Sequence, residues 1–127
     1  MNIRSRREGD RAVVEVSGHV DMESVERFRR ILMRQVEGNA SFLVLEASGI
    51  RRIFSGGLAV LIEVLSRLRR QGRSFWILNP SQQMRHVLAL TRLESRIPVV
   101  DAEECSDSAK TAGWSGRKGY RRYVAHD

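Results

Sequence analysis

Apolar and polar residues alternate after Val13 in AVVEVS, residues 12–17, the pattern of a half-buried strand. The preceding NIRSRREGD pairs with it as a hairpin, because Gly9-Asp10 supplies turn chemistry. The period then changes. Val25, Phe28, Leu32 and Val36 recur at spacings of three and four, which predicts a helix from near Met22 to Gly38-Asn39. Asp21 would be its N-cap, with Glu23 favourably placed in the first turn. Residues 41–48, SFLVLEAS, hold an unbroken apolar run from Phe42 to Leu45, so a strand covered on both faces is expected there. After Ser55, a second amphipathic helix is traced by Leu58, Leu61, Ile62, Leu65 and Leu68, with Glu63, Ser66, Arg67 and Arg70 outside and Gly72 as its stop. RSFWILNP reads as a further strand, residues 81–91 as a short helix burying Met84, Val87 and Leu88, and RIPVV as a short last strand.

Strands and helices thus alternate after an opening hairpin. That order predicts an α/β domain with a partly parallel sheet, since a helical crossover is what joins parallel neighbours. DAEECSDSAK is compatible with a helix from Asp101, and residues 113–127, with no clear period, read as a basic extension.

Composition narrows the class. The chain has 127 residues, 42% hydrophobic and 29% charged, enough for one domain with its own core and unlike a disordered chain. No apolar run is long enough to span a bilayer, and MNIRSRREGD lacks the apolar stretch of a secretory signal, so a cytoplasmic protein without membrane insertion is expected. The lone Cys105 suits a free thiol in a reducing compartment. A net charge of +7 raises the question of an anionic partner, but twenty of the 22 basic residues are arginine and they are spread over several segments.

Ser55, between Phe54 and Gly56-Gly57, is the residue most in need of a role. As a nucleophile it fails. An elbow has glycines two before and two after the serine, and Ile53 takes the first of these positions. His19, His86 and His126 are scattered, no histidine pair nor Cys105 has metal-ligand spacing, and the adjacent Glu103 and Glu104 make a poor acid/base pair. SGGL lacks both the Lys-Ser/Thr of a P-loop and the three-glycine spacing of a dinucleotide site, so no cofactor is implied. Trp114, Tyr120 and Tyr123 alternate with Arg117, Lys118, Arg121 and Arg122, as in a surface that stacks bases, but no nucleic-acid module is present and a solvated basic tail is the plainer reading. Ser55 is left as a helix N-cap whose position also suits a phosphoacceptor. A phosphate there would sit beside the free N–H groups of a first helical turn, with Arg51 and Arg52 close in sequence.

The order of elements over about residues 8–105, and the residues around Ser55, resemble the STAS family shared by anti-sigma factor antagonists and sulphate transporters. VVEVSGHVDMESVERFRRIL is similar to that family's strand, glycine and aspartate-led helix. FLVLEASGIRRIFSGGLAVLIEVLSRLRRQG is similar to its apolar strand, switch loop and second helix, and RSFWILNPSQQMRHVLALTRLESRIPVV to its next strand, helix and terminal strand. The resemblance implies a mixed sheet of four or five strands with helices mainly on one face, in a domain spanning residues 1–112 with 113–127 as the extension. It implies no catalysis, no metal and no cofactor. It also implies a partner surface made of Asp21, Phe54, Ser55, Gly56, Gly57 and Leu58, with Ser55 phosphorylated by a partner that is both anti-sigma factor and serine kinase of the histidine-kinase-like ATPase type. The family's switch loop reads Asp-Ser-small-Gly-Leu, and here Phe54 stands in place of the acid. Single STAS domains also serve as cytoplasmic accessory subunits of transporters, which makes the ATPase of an ABC-type lipid or solute transporter the alternative partner.

Overall fold

A computed structural model of the chain describes residues 1–101. The possible helix from Asp101, the boundary at 112, the extension 113–127, Cys105 and His126 lie outside the described residues. Five strands, β1 (Asn2–Glu8), β2 (Arg11–Val20), β3 (Phe42–Ile53), β4 (Ser74–Leu78) and β5 (Val99–Val100), form one sheet in that spatial order. β1 and β2 are the expected hairpin, turned at Gly9 with φ of 61°. All other neighbours are parallel, and their crossovers carry α1 (Val25–Val36), α2 (Ser55–Arg70) and α3 (Gln82–Leu90). A 3-10 turn, Leu93–Ser95, leads into β5.

The three helices share one core. Phe28 and Leu32 of α1, Leu61, Val64 and Leu68 of α2, and Met84 and Leu88 of α3 bury against Val14, Val16, Leu43, Leu45 and Ile77 of the sheet. The run Leu43 to Leu45 is buried on both faces, as its unbroken apolar character predicts. Ser81 caps α3, its hydroxyl accepting from Met84 N at 3.2 Å.

Two strands are longer than their apolar runs. β2 continues to Val20 and β3 to Ile53, past segments that the sequence assigns to connections. Glycines make this possible. The pairing shifts register between Glu15 and Ser17 and again between Gly18 and His19, with Gly18 at φ of 91°. A Cβ on Gly49 would lie 2.7 Å from that of Ser17, so the second strand can follow the irregularity only without a side chain. The extension sets Val20 beside Ile53, and both lie directly under the start of α2.

A guanidinium ties the far ends of these elements together. Arg73, just before β4, donates to Ala40 O and Val36 O at 2.6 Å each and to Gln35 O at 2.9 Å. Gln35 and Val36 belong to the last turn of α1, whose carbonyls have no partner within the helix.

A candidate partner-docking site at the start of α2

The paired ends of β2 and β3 build this site. Phe54 N donates to Val20 O at 3.1 Å, which ends β3 and aims the chain into α2. Phe54 is extended, with ψ of 175°, and its carbonyl accepts from Gly57 N at 2.9 Å and Leu58 N at 3.2 Å. The N-cap is therefore Phe54, and the expected cap, Ser55, is the first helical residue. The reason is register: β3 runs to Ile53, so the residue that must be extended to leave the strand is 54 rather than 55. Among the described residues no side chain caps α2, and no acidic residue lies in its first turn. Ser55 is exposed on that helix end.

The Phe54 side chain accounts for its neighbour. Its ring lies over Gly56, where an added Cβ would fall under 3.0 Å from three ring atoms. A glycine in a helix costs about 1 kcal/mol against alanine, so Gly56 needs a reason, and the ring supplies one. The one departure from the Asp-Ser-small-Gly-Leu pattern, a phenylalanine for the acid, and the choice of glycine at the small position are thus one packing solution. Gly57 has a different cause. A Cβ there would come within 2.6 Å of Ile53 Cγ1 and 3.0 Å of Val20 Cγ1, so its bare Cα lets the helix rest on the strand ends.

Asp21 directly follows Val20 and so borders α2. Its Oδ1 accepts from Glu23 N at 3.0 Å and Ser24 N at 3.1 Å, and Ser24 Oγ lies 3.0 Å from His19 O. Residues 21–24 form a hydrogen-bonded turn, with Val25 N donating to Asp21 O at 2.9 Å, so α1 begins at Val25 and not near Met22, with Ser24 as its N-cap. The capping chemistry of Asp21 is present, spent on this turn. The Ser24 backbone bond, then the Ser24 hydroxyl and the Glu23 backbone bond, hold the Asp21 carboxyl below its ordinary value. A depressed carboxyl contributes stability that is present above its unfolded value and is lost as pH falls through the folded one. Wild type is therefore expected to melt above Asp21→Asn from neutral pH down to about pH 4, with the gap closing below that. Thermal melts of both proteins across this range measure it, and a pH-independent gap would mean that the charge is not the cause.

Around the joined ends of β2 and β3, Asp21 and Ser55 are exposed and Phe54 and Leu58 half-buried, while Gly56 and Gly57 let the start of α2 close on Phe54, Ile53 and Val20. Arg51 and Arg52 are exposed at the end of β3, Arg52 beside His19 in the pairing. Two exposed apolar residues stand out that sequence reasoning places elsewhere or passes over. Met22 is 81% exposed in the turn after Asp21, and Ile62, expected in the core, is 38% exposed. Ile62 follows Ser55 and Leu58 by seven and four residues, on the same stripe of α2. Beside it, Glu63 ties the two helices, accepting from Arg29 of α1 at 2.8 Å and lying 3.2 Å from Arg67.

Among the described residues, no group of three or more His, Cys, Asp or Glu is placed to hold a metal ion, and no helix is long and apolar enough to cross a membrane. In overall structure the chain is similar to an anti-sigma factor antagonist from Mycobacterium paratuberculosis, with a TM-score of 0.71 at 22% identity over 77% of this chain and 83% of that one. It is similar to the anti-sigma factor antagonist SpoIIAA in its unphosphorylated form (TM-score 0.71, 19% identity, 88% of this chain and 97% of that one). The phosphorylated form of SpoIIAA, a Bacillus cell fate determinant, aligns with a TM-score of 0.66 at 19% identity, covering 84% and 98%. No curated protein matches the chain. Residues 3–101 match the family model described as Mlab, STAS domain, and with this sheet order and helix placement the chain belongs to the STAS domain family.

Proposed function

We propose that this is a non-enzymatic cytoplasmic docking module of the anti-sigma factor antagonist type. It binds an anti-sigma factor that is also a serine kinase of the histidine-kinase-like ATPase type, through the patch of Asp21, Phe54, Ser55 and Leu58. The observation that carries the reading is Ser55, exposed on the first turn of an uncapped helix beside the Asp21 turn. Phosphorylation there adds about −1.5 to −2 charges in the middle of a surface whose other members are partly apolar. An apolar partner surface that accommodates Met22 and Leu58 would have to desolvate that charge, so binding would end.

A second reading has its own support, the Phe54 ring over Gly56 in place of the acid. Under it the same patch docks the ATPase of an ABC-type transporter, and no phosphate is involved.

The test is to identify the ATPase that copurifies from native cells, mix it with this protein and ATP, and map phosphate by mass spectrometry. Phosphate on Ser55, with Ser55→Asp weakening binding at least about tenfold, some 1.4 kcal/mol, is the expected result. An unmodified Ser55 together with wild-type binding by Ser55→Asp would remove the switch, and recovery of an ABC ATPase would establish the second reading.

A further inference from the structure

The basic residues of this chain are spread along the sequence, but the fold gathers three of them from separate segments. Arg69 in the last turn of α2, Arg73 just before β4 and Arg96 after the 3-10 turn line one cleft of about 480 Å³. Strand lengths create it. The two residues of β5 pair only with Ile77 and Leu78, so β4 runs back beyond them to Ser74. That leaves an opening between the end of α2 and the chain that enters β5. Leu65, Phe75, Trp76 and Pro98 give the cleft apolar walls, Ser74 and Ser95 line it with them, and none of its described lining residues is acidic.

Structural duties do not use these charges up. Arg69 donates from Nη2 to Arg96 O at 3.0 Å, which seats its guanidinium beside Arg96. Among the described residues neither Arg69 nor Arg96 has a carboxylate partner. Arg69 is not needed as a helix cap either, because the carbonyls of Leu68 and Arg69 accept from the N–H groups of Gln71, Gly72 and Arg73 at 2.9 to 3.0 Å. Arg73 spends its fork on the carbonyls near the end of α1 and adds only its charge. Like charges gathered in a cleft with apolar walls raise the local potential and draw in an anion. We propose that this cleft binds a small organic phosphomonoester. Its volume lies within the range of about 300–1,000 Å³ usual for small-molecule sites. A phosphomonoester carries about −1.5 to −2 charges and three terminal oxygens, so it can accept from Arg69 and Arg96 together, whereas one guanidinium fork already fills a carboxylate. The apolar body of the ligand would rest on Leu65, Phe75 and Pro98. The site is separate from the docking patch, since Ser55 and Arg69 stand near opposite ends of α2, about 21 Å apart along its axis.

Titration of the full-length, nitrogen-15-labelled chain with phenyl phosphate tests it by NMR. Saturable shifts are expected at the amides of Ser74, Ser95 and Arg96, with those of Ser55, Gly56 and Gly57 unmoved. Replacing both cleft arginines, Arg69→Gln with Arg96→Gln, should weaken binding several-fold, and Ser95→Asp, which sets a carboxylate in the cleft, should weaken it at least as much. Arg70→Gln removes one charge from the same turn of α2 outside the lining and should leave the affinity unchanged. Inorganic phosphate should bind several-fold more weakly than phenyl phosphate. Absence of saturable shifts at the cleft would overturn the proposal, as would full affinity in the double variant. An equal loss in Arg70→Gln would reduce the effect to general charge attraction, and equal binding of inorganic phosphate would remove the apolar walls from recognition; either result sinks the site as proposed.

Discussion

Arg73→Ala is expected to unfold at a markedly lower denaturant concentration, with a loss of about 2–4 kcal/mol, since hydrogen bonds to a charged group contribute about 1.5–3 kcal/mol each and water replaces part of what is removed. The side chain serves three carbonyls, of Gln35, Val36 and Ala40, that close α1 and start the connection to β3. Burial, and then the nearby charge of Arg7, lower its pKa, which marks a guanidinium partly taken out of water. Arg73→Lys separates two explanations. A lysine keeps the positive charge at the end of a helix but not the planar fork. If the fork is what matters, lysine restores well under half of the loss in urea unfolding. Full rescue by lysine would mean that the helix dipole alone accounts for the effect.

Gly57→Val should cost about 1–3 kcal/mol, the usual range for overpacking a filled site, and should weaken partner binding as well. Its side chain would meet Ile53 and Val20, both buried, so the first turn of α2 must lift from the strand ends. That lift displaces Phe54, Ser55 and Leu58 together. Gly56→Ala is the instructive control, since its obstacle is the half-buried Phe54 ring rather than the core. Combining it with Phe54→Asp removes the obstacle. The pair should then be more stable than the sum of the single changes, because contacting residues do not behave additively. Chemical denaturation of the four proteins checks this, and additivity within about 0.3 kcal/mol would refute the coupling.

Much of this architecture is legible in the sequence. Spacings of three and four from Val25 to Val36, and the apolar run from Phe42 to Leu45, arise because burial on a helix side or inside a sheet leaves a period in the chain. The ends of β2 and β3 are not legible. Gly18 and Gly49 look like punctuation, and only the pairing of the two strands turns them into an irregularity within a continuous ladder. The cap of α2 is hidden for the same reason. A serine beside glycines is a good local cap, but the end of β3 decides which residue is extended. Spacing alone misplaces Ile62, because Leu58, Leu61, Ile62, Leu65 and Leu68 span a broad stripe. Packing against sheet and α1 centres the buried side on Leu61, Val64, Leu65 and Leu68, leaving one margin of the stripe to solvent. The contacts of Arg73 span more than thirty residues and have no local signature at all.

β1 has a consequence for how copies of this protein meet one another. Among the described residues it is an outer strand, with one side of its backbone open to pairing, yet it places three exposed arginines, Arg4, Arg6 and Arg7, within four positions. The opposite edge, β5, is only two residues long. A strand approaching either border finds a row of charged side chains, paired with Glu8, Asp10 and Glu15, on one side and almost no ladder on the other. Both borders are thereby poor templates for edge-to-edge pairing, so crowded copies are kept from joining their sheets into a growing fibril.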